Sequence, residues 1–496
     1  MFLFAVPAFA ANGSLRVEIA DEKGKPVPCQ VYLHDAAGKS IRAPGLPFWH
    51  DHFVCDGAFE LSLPPGSYEY EIERGPEYRP LGGSVTIEDS RRTTENLHLA
   101  RIADLASDGW YSGELHVHRP VEQIPLLMQA ADLHVAPVIT WWNATNLWAN
   151  RELPAPTLNR FDGNRFYDVM AGEDEREGGA LLFLGLKKPL AITAATREHP
   201  SPMKFASEAR AGGAWIDIEK PFWWDVPVWL ATGVADSIGI ANNHMCRSTM
   251  YENEAWGKPR DSKRLPSPLG NGYWSQEIYY HALNCGLRLP PSAGSASGVL
   301  PNPVGYNRVY VHTGDKFDDT SWWDGLKAGR SFVTNGPLLV TRAAGHLPGH
   351  VFSVDAGRTL EIPLDVSLIS NDNVPVIEVI KDGQVARTVP VDGGTSFKGS
   401  IGSITFDKSG WFLIRAVTDN RRTFRFASTA PYYVEIGPDK RRVSRASAQF
   451  FLDWAIERAS RVPNKLDDPA QLREVLEHHT RAREFWEKKV SEANDD

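Results

Sequence analysis

The chain is poor in the residues and motifs on which several common chemistries depend. Its four cysteines in 496 residues form no Cys-x-x-Cys pair, which excludes a dithiol redox centre and a zinc knuckle. It has no His-Glu-x-x-His, no Gly-x-Ser-x-Gly elbow, and no glycine-rich phosphate loop followed by Lys-Ser/Thr. Zincin, serine-hydrolase and P-loop chemistries therefore have no local support. Beyond the N-terminus no run approaches the about 20 apolar residues that cross a bilayer, so no membrane span is expected. The net charge is -9 and no Lys/Arg-rich stripe appears. Neutralising phosphates needs clustered cations, so no nucleic-acid partner is expected.

What is present is the composition of a soluble globular protein, 42% hydrophobic and 23% charged, in a chain too long for one compact core. Residues 1–10 read as the apolar end of a signal peptide closing on Ala8-x-Ala10, although the basic segment that should precede it is missing. Export places the protein outside the cell or in a periplasm, where cysteines can pair. Cys29 and Cys55, in one small domain, are the expected pair; Cys246 and Cys285 are expected as buried thiols.

Alternation and turn signals divide the remainder. Residues 11–104 carry short alternating segments such as Leu15-Arg16-Val17-Glu18-Ile19, and read as a β-sandwich similar to carboxypeptidase-regulatory-like domains. A hairpin is expected from Phe59–Leu63 through Pro64-Pro65-Gly66 into the strand at Tyr68. Residues 105–343 alternate apolar runs (Val135–Thr140, Leu181–Leu186, Ala214–Ile218, Ser237–Ala241, Val309–His312) with helical or looped stretches, which predicts an α/β barrel-like domain. Alternation returns over 344–440, a second β-sandwich, and 441–496 has the periodicity of two amphipathic helices. The fold class expected is thus multidomain α/β plus β, a central barrel flanked by N- and C-terminal sandwiches with a helical tail.

The most informative motif is Gly113-Glu114-Leu115-His116-Val117-His118. Strand side chains alternate, so His116 and His118 share a face and can converge on a transition metal. The competing reading is that local carbonyls satisfy both rings. This motif, with Gly172-Glu173, Pro291–Gly298 and Gly329–Pro337, resembles the PHP (polymerase and histidinol phosphatase) superfamily of metallohydrolases, in its CehA/McbA-like branch. The resemblance covers about residues 108–340.

It implies a barrel with metal ligands at strand ends, and His116, His118, Glu173, Glu219 and His244 as the ligand candidates of this chain. Where relatives carry Thr-Asp-His, this sequence reads Thr140-Trp141-Trp142-Asn143. Where they carry Gly-Ser-Asp-x-His, it reads Gly294-Ser295-Ala296-Ser297-Gly298. A strand that ends in His-Pro in relatives ends here in Glu219-Lys220-Pro221. These departures imply one divalent ion rather than a cluster, with zinc expected and manganese or iron as alternatives. Glu175, Asp217 and Lys220, with His312, are the candidate acid/base or supporting groups, and Arg176 a candidate clamp for a developing oxyanion.

Sixteen tryptophans include the pairs Trp141-Trp142 and Trp223-Trp224. Indoles stack on sugars or aryl groups, so these four residues and Arg247 are the substrate-binding candidates for a small molecule or glycan. The expected function is metal-dependent hydrolysis of an ester, carbamate, amide or phosphoester bond. Two alternatives stay open: a carbohydrate-binding descendant without turnover, and a glycan-processing enzyme using the carboxylates of Glu173 and Glu219.

Overall fold

The computed structural model describes residues 11–314 and 316–495; the segment read as a signal peptide lies outside the described residues. Strand outweighs helix, and the strands are distributed over several sheets. The chain divides into two compact units, one comprising the part up to Asp104 together with Glu122–Leu133, the other Leu105–Val121 and the part from His134 onward.

In the first unit Gly13–Ala20 lies between Ala58–Leu63 and Arg92–His98, while a second sheet has the order Phe48–Trp49, His52–Cys55, Cys29–Asp35, Gly66–Glu73, Leu81–Ile87. Alternation gives each strand one apolar face: Leu15, Val17 and Ile19 are buried while Glu18 is exposed. The hairpin expected at Pro64-Pro65-Gly66 does not form. Ala58–Leu63 pairs with Gly13–Ala20, whereas Gly66–Glu73 pairs with Cys29–Asp35 and Leu81–Ile87. The prolines have no N–H to give to a ladder, and they carry the chain from one sheet to the other, so that Leu61, Leu63, Tyr68 and Ile72 meet in one core. Cys29 and Cys55 are directly opposed across two of these strands, Sγ to Sγ 3.6 Å, as thiols. Cys246 and Cys285 are buried thiols.

The second unit is organised around the His-x-His segment. On one edge Glu114 N–H donates to Val135 O, and Ile139 N–H to Val117 O. On the other, Leu115 N–H donates to Ala293 O, Ala296 N–H to His116 O, and His118 N–H to Ser297 O. From Val135–Trp142 the pairing passes through Arg165–Arg176, Gly179–Leu184, Trp215–Ile218 and Ser237–Ala241 to Pro291–Ala293, and so returns to where it began. Gly179–Leu184 is apolar on both faces and buried throughout.

Strand–helix alternation holds for only part of this circuit. Gly179–Leu184 is antiparallel to both of its neighbours, Arg165–Arg176 and Trp215–Ile218. The two residues between the first two of these strands are too few for a crossover helix and close a tight hairpin instead.

Glycine is required where the 294–298 loop runs against the His-x-His backbone. A Cβ on Gly294 would lie 2.4 Å from His116 Cβ, and Gly298, at φ +101°, would put one 2.6 Å from His118 O. Ser331–Thr334 pairs with both Arg308–His312 and Phe426–Thr429, so hydrogen bonding continues unbroken into the C-terminal strands. Helices Arg445–Arg461 and Pro469–Ser491, capped by Ser444 and Asp468, bury Phe451, Trp454 and Trp486 in the same hydrophobic core. Among the described residues no helix is long and apolar enough to cross a membrane.

Candidate metal centre

Side-chain alternation places Glu114, His116 and His118 on one face of their segment, and Glu173 and Glu175 on one face of Arg165–Arg176. His116 Nε2 and His118 Nε2 are 2.9 Å apart, and Glu173 Oε2 stands 3.4 Å from the first and 3.2 Å from the second. Among the described residues, these three groups together could hold a metal ion. Ligand atoms about 2.0–2.1 Å from a shared tetrahedral zinc are about 3.3 Å apart, so the triangle already has the size of one face of a coordination sphere. Glu173 Oε2 is buried without a hydrogen-bond partner. Among the described residues its only close polar neighbours are the two imidazole nitrogens, and a cation bound among the three would replace the His116 proton as its counter-charge.

The surrounding charges fit the same reading. Burial opposes a proton on His116, but Glu173 and Glu219 outweigh it and raise the imidazole to about 10. Burial, helped by that neighbouring cation, lowers His118. Burial would raise Glu173, yet the two imidazoles hold it below the usual carboxylate range. Burial and then Glu173 push Glu175 up to about 7. Burial does the same to Asp217, against hydrogen bonds from Ser237 Oγ and Ser292 Oγ at 2.5 Å. Carboxylates outnumber cations here, the arrangement of a site that takes a further positive charge.

No family model matches the chain, and no curated protein does. Among solved structures it is similar to the CARDB domain of PF1109 from Pyrococcus furiosus, at 17% identity and TM-score 0.13 over 20% of this chain and 95% of that one. The same domain in complex with di-metal ions matches at 17% identity and TM-score 0.13, over 21% and 96%. The Bacillus anthracis TIE protein matches at 9% identity and TM-score 0.15, over 86% and 50%.

The remaining candidates take other places. Glu219 does not join the triangle: its Oε1 lies 3.3 Å from His116 Nδ1, and its carboxylate accepts from Lys220 Nζ at 2.8 and 2.6 Å and from Trp223 Nε1 at 2.9 Å. Both oxygens accept hydrogen bonds, and the carboxylate lies beside His116 Nδ1, outside the triangle. Lys220 and Trp223, both buried, hold Glu219 in place. His244 donates from Nδ1 to Asn253 O at 3.0 Å. Burial and then Lys220 lower it to about 3, leaving a neutral imidazole with Nε2 as its acceptor, outside the triangle.

Arg176 is not a clamp. It points to the opposite face from Glu173 and Glu175, bound to Asp174 at 2.5 and 2.8 Å and to the carbonyls of Thr196 and Pro200. Trp141 is core, stacked on Phe183 at 6.1 Å and packed against Gly172, where a Cβ would lie 2.0 Å from the indole. Trp142 is half-buried with its ring 5.0 Å from that of His118, and is the expected tryptophan that flanks the triangle. Trp224 lies under Arg461 at 3.8 Å. Arg247 follows the strand Ser237–Ala241 and donates its backbone N–H to Asn302 Oδ1 at 3.2 Å. His312 packs edge-on against Trp110 at 5.2 Å.

Glu114 was not among the expected site residues, although its alternation with His116 and His118 marks it. Fully buried, it accepts the backbone N–H of Ser295 at 2.6 Å and that of Gly305. It therefore ties the glycine-rich loop to the extended segment that carries both histidines. Burial raises it to about 7 against those two donors.

Proposed function

We propose that this chain is a metal-dependent hydrolase resembling the CehA/McbA-like branch of the PHP superfamily, with its circuit of strands forming the barrel of that architecture. His116, His118 and Glu173 would hold one divalent ion, and two imidazoles with one carboxylate favour zinc over harder cations. The observation that carries this reading is the buried triangle of His116 Nε2, His118 Nε2 and Glu173 Oε2, 2.9–3.4 Å apart.

A divalent ion bound there lowers the pKa of water and polarises a substrate oxygen. The chain's own groups do the rest. Glu175, on the same face as Glu173 and titrating near 7, takes the proton of the attacking water as general base and returns it to the leaving group. Glu219, held by Lys220 and Trp223, fixes His116 so that Nε2 faces His118. Trp142, beside His118, offers an apolar wall to the group being cleaved. The substrate class is an ester, carbamate, amide or phosphoester of a small molecule or glycan, and the compartment is outside the cell or a periplasm.

Elemental analysis of protein purified without chelator or affinity nickel, beside His116→Ala/His118→Ala, tests this reading. The expected result is about one equivalent of zinc, manganese or iron in the wild type and none in the variant, with hydrolysis of an ester or phosphoester panel lost in parallel. A wild type that takes up no metal on reconstitution, or turnover that persists in chelator, overturns it.

A further inference from the structure

The indole of Trp142 stands beside the triangle with its hydrogen-bond donor unused. Its backbone is fixed at the strand end. Asn143, at φ +47°, turns the chain back, donating its N–H to Glu173 O at 3.3 Å and accepting that of Glu175 on Oδ1 at 2.9 Å. Trp141 and Trp142 pair with Gly172 and Glu173 on the parallel neighbouring strand, and residues opposite each other in such a pair share a face. Trp141 packs against Gly172, so Trp142 stands on the other face, the one that carries Glu173. Its ring lies 5.0 Å from that of His118, tilted by 60°.

Among the described residues, Nε1 of Trp142 is buried and has no hydrogen-bond partner. Buried donors are nearly always paired, and one that is not calls for an acceptor from outside the chain. Trp229 and Trp454 also carry unpaired indole N–H groups, but both rings lie deep in the hydrophobic core, whereas Trp142 is half-buried and flanks a metal-ligating imidazole. An indole nitrogen only donates, so it cannot bind the ion itself. The acceptor it suits is an oxygen that carries negative charge. Two nearby cations are committed elsewhere: Lys220 Nζ is bound to both oxygens of Glu219, and Arg176 faces away, bound to Asp174.

We propose that Trp142 Nε1–H donates to the carbonyl or phosphoryl oxygen of the substrate as that oxygen gains negative charge, which makes Trp142 a catalytic residue of the hydrolysis. This assignment rests on the reading of the triangle as a hydrolytic metal centre. Water adding to the carbon or phosphorus forms one new bond to oxygen and pushes a bonding pair onto the carbonyl or phosphoryl oxygen, while its proton passes to Glu175. A fixed donor aimed at that oxygen stabilises the charge without reorganising.

The test follows the Nε1–H resonance of Trp142 by NMR in protein carrying tryptophan labelled with heavy nitrogen. The resonance is identified by its loss in Trp142→Phe and, independently, by its paramagnetic shift when cobalt replaces zinc in the wild type. Zinc uptake is measured first by elemental analysis. Phenylphosphonate, a tetrahedral oxyanion bearing an aryl group, is then titrated in. The Trp142 resonance is expected to move downfield, beyond any other indole, and to saturate as phenylphosphonate binds. Trp142→Phe keeps the apolar wall and removes the donor. It is expected to hold zinc like wild type, to bind phenylphosphonate on the order of tenfold more weakly, and to lose on the order of a hundredfold in kcat with KM nearly unchanged. A zinc-loaded protein whose Trp142 resonance stays in place at saturation, no phenylphosphonate binding up to about 10 mM, or an unaltered kcat in Trp142→Phe overturns this assignment and leaves the metal centre standing. A wild type that takes up no zinc overturns both.

Discussion

Glu219 Oε1 stands 3.3 Å from Nδ1 of His116, at the ring nitrogen that does not face His118 and Glu173. A carboxylate in that position orients the imidazole and raises its basicity as a ligand without touching the ion. Glu219→Gln is therefore expected to weaken metal binding by about 10–100-fold, whereas His116→Ala abolishes it. Competition against a chelator of known affinity measures both. Loss of binding in Glu219→Gln as complete as in His116→Ala would mean that Glu219 is itself a ligand.

The buried charges give the metal-free protein a defined pH profile. Asp217, Glu175 and Glu114 are held up near 7, so they bind protons more tightly folded than unfolded. Their contribution is lost as pH rises from about 4 to about 7. His116, raised to about 10, loses its contribution between about 6.5 and 10. Glu173 and Glu219 are lowered and work in the opposite sense: theirs is present above about 4.3 and lost in acid. His118 and His244, both lowered, with His281 and His479, lowered to about 4, cost stability below about pH 6.5 and oppose the raised carboxylates there. Metal-free protein is thus expected to be most stable near about pH 6.5 and to lose stability toward about pH 10. Metal must displace the His116 proton, so apparent affinity should rise about tenfold per pH unit between about pH 7 and 10. Thermal melts across this range, with chelator and with zinc, check both slopes; a metal-free Tm higher at about pH 9 than at about pH 6.5 contradicts the assignment.

The parts of this arrangement legible in the sequence are those fixed by local backbone geometry. His-x-His on an extended segment puts two imidazoles together whatever the rest of the chain does. The same alternation separates Glu173 and Glu175 from Asp174 and Arg176, so the turn of Arg176 away from the site was readable, but proximity in sequence obscured it. Glu219 was ambiguous because its role depends on Lys220 and Trp223, whose side chains both reach back to it only in the folded chain. Trp141 depended on packing against Gly172 and Phe183, contacts between strands that no local pattern reveals. At Pro64-Pro65-Gly66 the residues signal a change of direction, but whether the chain stays in its sheet or crosses to the other is set by which partner strands are free.

Cys29 and Cys55 are poised to pair. They are directly opposed on neighbouring strands with their sulfurs 3.6 Å apart, so oxidation needs only a small rotation of the side chains. In an oxidising redox buffer the protein should lose two thiols, and the bond should stabilise the first unit by about 2–4 kcal/mol through the loop it closes. Thiol titration and urea unfolding with and without reductant, beside Cys29→Ser/Cys55→Ser, measure this. Four thiols still titrating after oxidation would show that the pair does not close.

Glu114 joins the histidine-bearing segment to the loop that packs against it, and its carboxylate is the acceptor for the N–H groups of Ser295 and Gly305. Glu114→Ala leaves those two donors in a buried space, each costing about 1–3 kcal/mol, so a loss of about 2–5 kcal/mol in urea unfolding is expected. Glu114→Gln keeps the shape but turns one acceptor into a donor facing an N–H, and should lie between Glu114→Ala and wild type. The loop also fixes the backbone of His116 and His118 through Ala296 N–H and Ser297 O. Metal affinity should therefore fall in both variants even at temperatures where they remain folded, because the two imidazoles are no longer held at one distance. If Glu114→Ala unfolded more easily yet bound metal like wild type, the triangle would be set by the strand alone and the loop would have no part in it.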